Sequence, residues 1–171
     1  MARPRSETAR TAVLDAATAL VEELGYGSVT MEGIARRAGV SKQTVYRWWP
    51  AKAAVVLEAL NEGAAVIAPA SDDVEEFLRR TVRGARRNRR LLAGLMAEAQ
   101  LDEDFARSFR RDFLARRRAV LRELLEPDPE AARLAELVFA RLWYRILTGS
   151  GPLDRRFADE LVATVSRRTA W

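Results

Sequence analysis

The amino-acid sequence predicts an all-α protein of about nine helices. Apolar residues recur at helical spacing along nearly the whole chain, capping and stopping residues cut it into segments, and no Val/Ile/Thr-rich run alternates between hairpin turns as strands do. At 171 residues, 49% hydrophobic and 31% charged, the chain has material for a core and the composition of a globular protein.

The first segment sets Val13, Ala16, Ala17, Leu20, Val21 and Leu24 on one stripe, and Gly25 stops it. Thr30 is the N-cap of a short helix that runs to about Ala38 and is closed by Gly39. Ser41 caps a third helix, Lys42–Trp48, and Trp49-Pro50 ends it because a residue before proline avoids the α region. A longer helix is expected over 51–68, before Pro69. Ser71 is the expected cap of the fifth, with Asp72, Asp73, Glu75 and Glu76 in its first turns and arginines at its end, as the helix dipole favours. Four more are expected over 91–101, 104–125, 130–147 and 154–168, the last three separated by Pro127-Asp-Pro129 and by the turn residues 148–152.

Composition narrows the chemistry. The chain has no cysteine and no histidine, which excludes disulfides, Cys/His zinc sites and Ser–His or Cys–His catalysis. An enzyme would need a carboxylate pair or a carboxylate-held metal, and the sequence offers no such cluster, so neither enzymatic activity, a cofactor nor a metal is expected. No apolar run approaches the ~20 residues of a membrane span. The N-terminus lacks a signal peptide's apolar stretch, so the expected location is the cytoplasm. Of the 29 basic residues only two are lysines, Lys42 and Lys52, and the net charge is +5. That charge admits a nucleic-acid partner without deciding for one.

Residues 30–46, Thr-Met-Glu-Gly-Ile-Ala-Arg-Arg-Ala-Gly-Val-Ser-Lys-Gln-Thr-Val-Tyr, decide more. They read as a short helix, a tight turn at Gly39 and a second short helix, with Ile34, Ala35, Val40 and Val45 facing inward. The second helix offers Lys42, Gln43, Thr44, Tyr46 and Arg47, groups suited to phosphates and to base edges in a major groove. A helix-turn-helix places the start of its second helix against the bases.

These residues, with Gly25-Tyr26, Ala38-Gly39-Val40-Ser41, Thr44, Trp49 and Lys52, resemble the TetR family of bacterial transcriptional regulators over about 9–60. The stretch 143–154, beginning Trp-Tyr-Arg-Ile-Leu, is similar to one C-terminal subclass of that family. The resemblance implies an N-terminal DNA-binding domain over 1–50 and a C-terminal effector-binding and dimerisation domain over 51–171. It implies phosphate contacts at Tyr46, Lys52, Thr30 and Thr44, with base contacts at Lys42 and Gln43. Ser41 caps the reading helix, and Arg47 and Trp48 fall where backbone or a thymine methyl is often touched, Trp48 being open between DNA and plain surface. Two positions depart from the family pattern. Ala51 stands where a capping residue is usual, and Glu32 lies near a DNA-facing basic position, its role open between repelling phosphate and accepting from cytosine.

Outside the motif, Phe105, Phe109 and Phe113 share a helix face and are either core or a wall of the implied effector pocket, to which Met96 and Gln100 are added as candidates. The apolar residues over 134–147 surround more than one face, and Leu161, Val162 and Val165 give the next helix a stripe. The resemblance implies that these last two helices form a two-fold dimer, with Leu134, Val138, Leu142, Trp143, Ile146, Leu161, Val162 and Val165 as interface candidates; a monomer burying both stripes is the alternative. The arginine run over 79–90 reads as a solvated or ion-paired face, and Arg3-Pro-Arg5 as a solvated end or a minor-groove arm. The expected partners are double-stranded DNA with a pseudo-palindromic operator, a small-molecule effector and a second copy of the chain. The rival readings are an architectural DNA-binding protein without effector and a helical protein–protein module.

Overall fold

The computed structural model describes residues 7–65 and 73–166. Arg3, Arg5 and Ser71 lie outside the described residues. Among those described there are nine helices and no strand: α1 Glu7–Leu24, α2 Met31–Ala38, α3 Lys42–Trp48, α4 Lys52–Ala65, α5 Val74–Arg87, α6 Arg89–Glu98, α7 over 103–125, α8 Ala131–Thr148 and α9 Arg155–Ser166. Helix α7 is α-helical over Glu103–Phe109 and Ala115–Leu125 and π-helical between, over Arg110–Leu114.

The local signals act as the chemistry requires. Gly39 closes α2 at φ 67°, a left-handed conformation that costs glycine little, and its N–H returns to the carbonyls of Ala35 and Arg36. Helix α5 begins at Val74, and its cap is Asp73, whose side chain accepts from the Glu75 N–H. That moves the cap two residues beyond the expected Ser71. Helix α6 begins at Arg89, two residues before the expected start.

Two compact units form. The first takes in residues up to Gly63 together with 90–107, and the second takes in 64–89 with 108 onward. In the first, α1 packs on α2 and α2 on α3, burying Val13, Ala17, Val21, Ile34, Ala35 and Val45. Burying each such Val or Ile side chain contributes about 1.5–3 kcal/mol.

In the second unit α5 packs against α9, and the last part of α7 packs against α8 and α5. Six of the expected interface residues, Leu134, Val138, Leu142, Ile146, Leu161 and Val165, are buried here in the chain's own core. Their burial leaves almost none of their surface for a second subunit. Val162 is half-buried, and Trp143 turns its ring edge-on to Phe109 at 6.2 Å. What α8 leaves exposed instead is Leu137 (44%), Tyr144 (62%) and Leu147 (50%).

The arginine run is largely engaged within the chain. Arg79 meets Glu75 and Asp159, Arg80 and Arg83 share Glu76, and Arg89 and Arg90 donate to the backbone carbonyls of Ile146 and Glu22.

Candidate nucleic-acid interface

Two caps and a buried seam set the geometry of the reading head. The Thr30 Oγ1 accepts from the Gly33 N–H at 3.0 Å, fixing the start of α2. Ser41 Oγ does the same for α3, accepting from the Thr44 N–H at 3.1 Å and meeting the Thr44 hydroxyl at 2.8 Å. Each such cap contributes about 1 kcal/mol. Between the helices the Val40 N–H bonds back to Ala35 O at 3.1 Å, while Ile34, Ala35 and Val45 close the seam. Because α3 buries Val45, its other side is free: Lys42, Gln43, Tyr46 and Arg47 are exposed together, with Thr44 and Trp48 half-buried.

Trp48 and Trp49 meet edge-on, ring centres 5.5 Å apart, but differ in burial. Trp49 is 2% exposed, and its indole N–H donates to Glu58 at 2.6 Å. The same Glu58 carboxylate accepts from Arg10 Nε at 2.6 Å, and Arg10 also pairs with Glu62. Burial works against the Arg10 charge, but its hydrogen bonds to Glu62 and Glu58 outweigh it and raise the guanidinium above its ordinary value. One carboxylate of α4 thereby ties α1 to the end of α3. Trp48 carries the Arg47 guanidinium 5.8 Å above its ring.

Glu32 gains a definite place. Its carboxylate pairs with Lys42 Nζ and accepts from the Tyr46 O–H at 3.5 Å, with the Lys42 ammonium 5.6 Å from the Tyr46 ring centre. The hydrogen bond from Lys42 holds Glu32 below the usual carboxylate range, and the same contact holds Lys42 above its own. Free of DNA, two expected contacts are thus engaged by a carboxylate.

Lys52 is half-buried and anchored. Its ammonium donates to the Tyr26 carbonyl at 3.1 Å and lies 4.4 Å over the Tyr26 ring. Tyr26 sits in the turn after α1, and its O–H donates to Glu98 of α6 at 3.0 Å. Burial first, then that bond to Glu98, pushes the phenol well up, so it remains a neutral donor. Its ring rests against Gly94 so closely that a Cβ there would overlap it. In the sequence Tyr26 stands out only within the Gly25-Tyr26 pair of the family resemblance; the distant glycine that receives its ring gives no local signal.

Met96, Gln100 and Phe105 fall in the first unit, Phe109 and Phe113 in the second. Gln100 is exposed and its amide turns back on the Met96 carbonyl and sulfur at 3.5 and 3.8 Å, so it is not a polar contact inside an apolar cavity. Phe109 and Phe113 are buried and stacked, ring centres 5.4 Å apart and planes 9° apart. Among the described residues no helix is long and apolar enough to cross a membrane.

An all-helical chain whose N-terminal helix-turn-helix exposes a basic, aromatic reading helix defines a DNA-binding regulator. The family described as bacterial regulatory proteins, tetR family, matches residues 13–59, and the tetracyclin repressor-like C-terminal domain matches 69–165. The HTH-type transcriptional regulator YdeS of Bacillus subtilis (strain 168) is 32% identical over 94% of this chain and 89% of its own length. Among solved structures, the TetR family transcription regulator SCO0332 is 31% identical with a TM-score of 0.69, covering 92% of this chain and 96% of its own. A transcriptional regulator from Saccharomonospora viridis, solved in complex with choline, has the same fold at 21% identity and a TM-score of 0.68, covering 95% and 98%. The chain belongs to the TetR family of transcriptional regulators, which are DNA-binding proteins and not enzymes.

Proposed function

We propose that the protein is a repressor that binds a pseudo-palindromic operator as a homodimer in the bacterial cytoplasm and is released by a small-molecule effector. The observation that carries the DNA reading is the exposure of Lys42, Gln43, Tyr46 and Arg47 on one capped helix whose opposite side is locked by Val45. Lys42 suits guanine O6/N7 and Gln43 suits adenine, while Tyr46, Thr30, Thr44 and Lys52 hold phosphates. Each subunit places α3 in a major groove, the two half-sites ~34–36 Å apart or a multiple of it.

Effector binding shifts α4 and spoils the spacing of the two heads; it acts only because the ligand binds the two states with different affinity. The contacts at Tyr26 support this route, since Lys52 at the start of α4 and Glu98 of α6 meet at one residue. The choline held by the Saccharomonospora viridis regulator supports small-molecule binding as compatible with this fold.

Fluorescence-anisotropy titration against duplexes from upstream of the protein's own gene and its neighbours, with a shuffled duplex as control, tests the reading. A preference of about 10³ or more at physiological salt is expected. Equal, salt-sensitive binding to all duplexes would favour an architectural protein, and no binding to any would sink the proposal.

A further inference from the structure

Arginine is the dominant cation of this chain, and in the second unit most arginines have a carboxylate. Arg111 pairs with Asp112, Arg122 with Glu126, Arg133 with Glu130, and both Arg141 and Arg145 with Glu160. Arg110, Arg116 and Arg118 lack such a partner among the described residues, but they are exposed and water solvates them. Arg117 is different. It is half-buried, and among the described residues it has neither an ion pair nor a hydrogen bond. Burial lowers its proton affinity, with no carboxylate acting in the other direction. A guanidinium removed from water without a partner is costly unless something supplies the missing charge.

The surroundings of Arg117 are aromatic and built around an irregular helix. Its guanidinium lies 4.3 Å over the Phe113 ring. Phe113 stacks on Phe109, and Phe109 meets the half-buried Trp143 edge-on. The π-helical stretch Arg110–Leu114 sits one turn before Arg117. Such stretches are rare and recur at functional sites. Residues 110–118 also carry five arginines against a single carboxylate, Asp112, so the local field favours an anion.

We propose that Arg117 is the anion-recognising residue of a ligand site in the second unit, and that the ligand is a small organic acid with an apolar body. The carboxylate takes the guanidinium as a charge-assisted, two-point hydrogen-bond partner, and the body packs against the half-buried Trp143 beside the buried Phe109–Phe113 stack. This names the chemical class of the effector in the reading above, and so rests on that reading for its regulatory meaning, though not for binding itself.

Isothermal titration calorimetry of the full chain without DNA tests it, using 2-naphthoate, the neutral 2-naphthamide and the cationic 2-naphthylmethylammonium. Naphthoate is expected to bind at least tenfold more tightly than either analogue. Arg117→Met should abolish that preference and Arg117→Lys should keep part of it, while both variants melt as cooperatively as the parent and bind DNA unchanged. Absence of naphthoate binding, equal binding of acid and amide, or an acid preference that survives Arg117→Met overturns the proposal. Acid binding that depends on Arg117 but leaves operator affinity untouched supports the site and removes only its role as effector site.

Discussion

Glu32 is the residue where the free protein and its DNA complex make opposite demands. Its carboxylate holds Lys42 and Tyr46, and the proposed DNA contacts, a guanine edge for the lysine and a phosphate for the tyrosine, must take both away. A carboxylate beside the backbone also repels it, so random DNA gains nothing to offset the exchange, whereas a cytosine N4 in the operator can give Glu32 a new donor. Glu32→Gln is therefore expected to raise affinity for a random duplex several-fold and to steepen its salt dependence by about one unit of slope. The operator should gain less, so discrimination falls. Anisotropy titrations at three salt concentrations measure both quantities, and an unchanged slope would mean that the Lys42 contact is irrelevant to DNA. The sign with pH follows from the depressed acidity of Glu32. The ion pair is intact above the ordinary carboxylate range and is lost only as pH falls through the lowered value, so binding to random DNA should not respond to Glu32 between pH 6 and 8.

At the scale of elements, a close fit within the first unit joins the turn after α1 to α6. A glycine inside a helix ordinarily costs about 1 kcal/mol against alanine, so Gly94→Ala in isolation would stabilise. Here the added methyl would overlap the Tyr26 ring, and displacing that ring disturbs its bonds with Lys52 and Glu98. The expected net effect is a destabilisation of about 1–3 kcal/mol, the usual cost of overpacking, read by urea denaturation; a stabilised variant would show that the ring is not seated on Gly94. This contact marks the limit of what the sequence discloses. Helix ends at Gly25, Gly39, Thr30 and Ser41 were legible because capping is decided within four residues. The cap of α5 was misplaced because Ser71, Asp72 and Asp73 are all competent caps and only the backbone chooses among them. The π-helical stretch of α7 was not legible at all, and neither was the Tyr26–Gly94 fit, which depends on partners distant in sequence.

At the scale of the molecule, periodicity shows that a helix is buried on several sides but not what buries each side. Leu134, Val138, Leu142 and Ile146 lie on the faces of α8 that its own unit covers, which is why the residues expected between subunits prove to be core. The surplus stripe is Leu137, Tyr144 and Leu147, at i, i+7 and i+10 and therefore on one face. Apolar side chains aligned in this way mark a contact surface more often than singly scattered ones do, and a two-fold axis would bring the stripe against its own copy. Replacing both Leu137 and Leu147 by Glu places four carboxylates around that axis, and the dimer is expected to dissociate at micromolar concentration. Sedimentation equilibrium reads the mass, while far-UV circular dichroism should be unchanged because neither residue supports its own core. Leu142→Glu is the opposing control: it forces a charge into the buried face and should unfold the second unit. The double variant should bind a single half-site as the parent does, yet lose the gain that the full operator gives two linked heads. A parent chain that sediments as a monomer, or a double variant that stays dimeric, would place the subunit contact elsewhere.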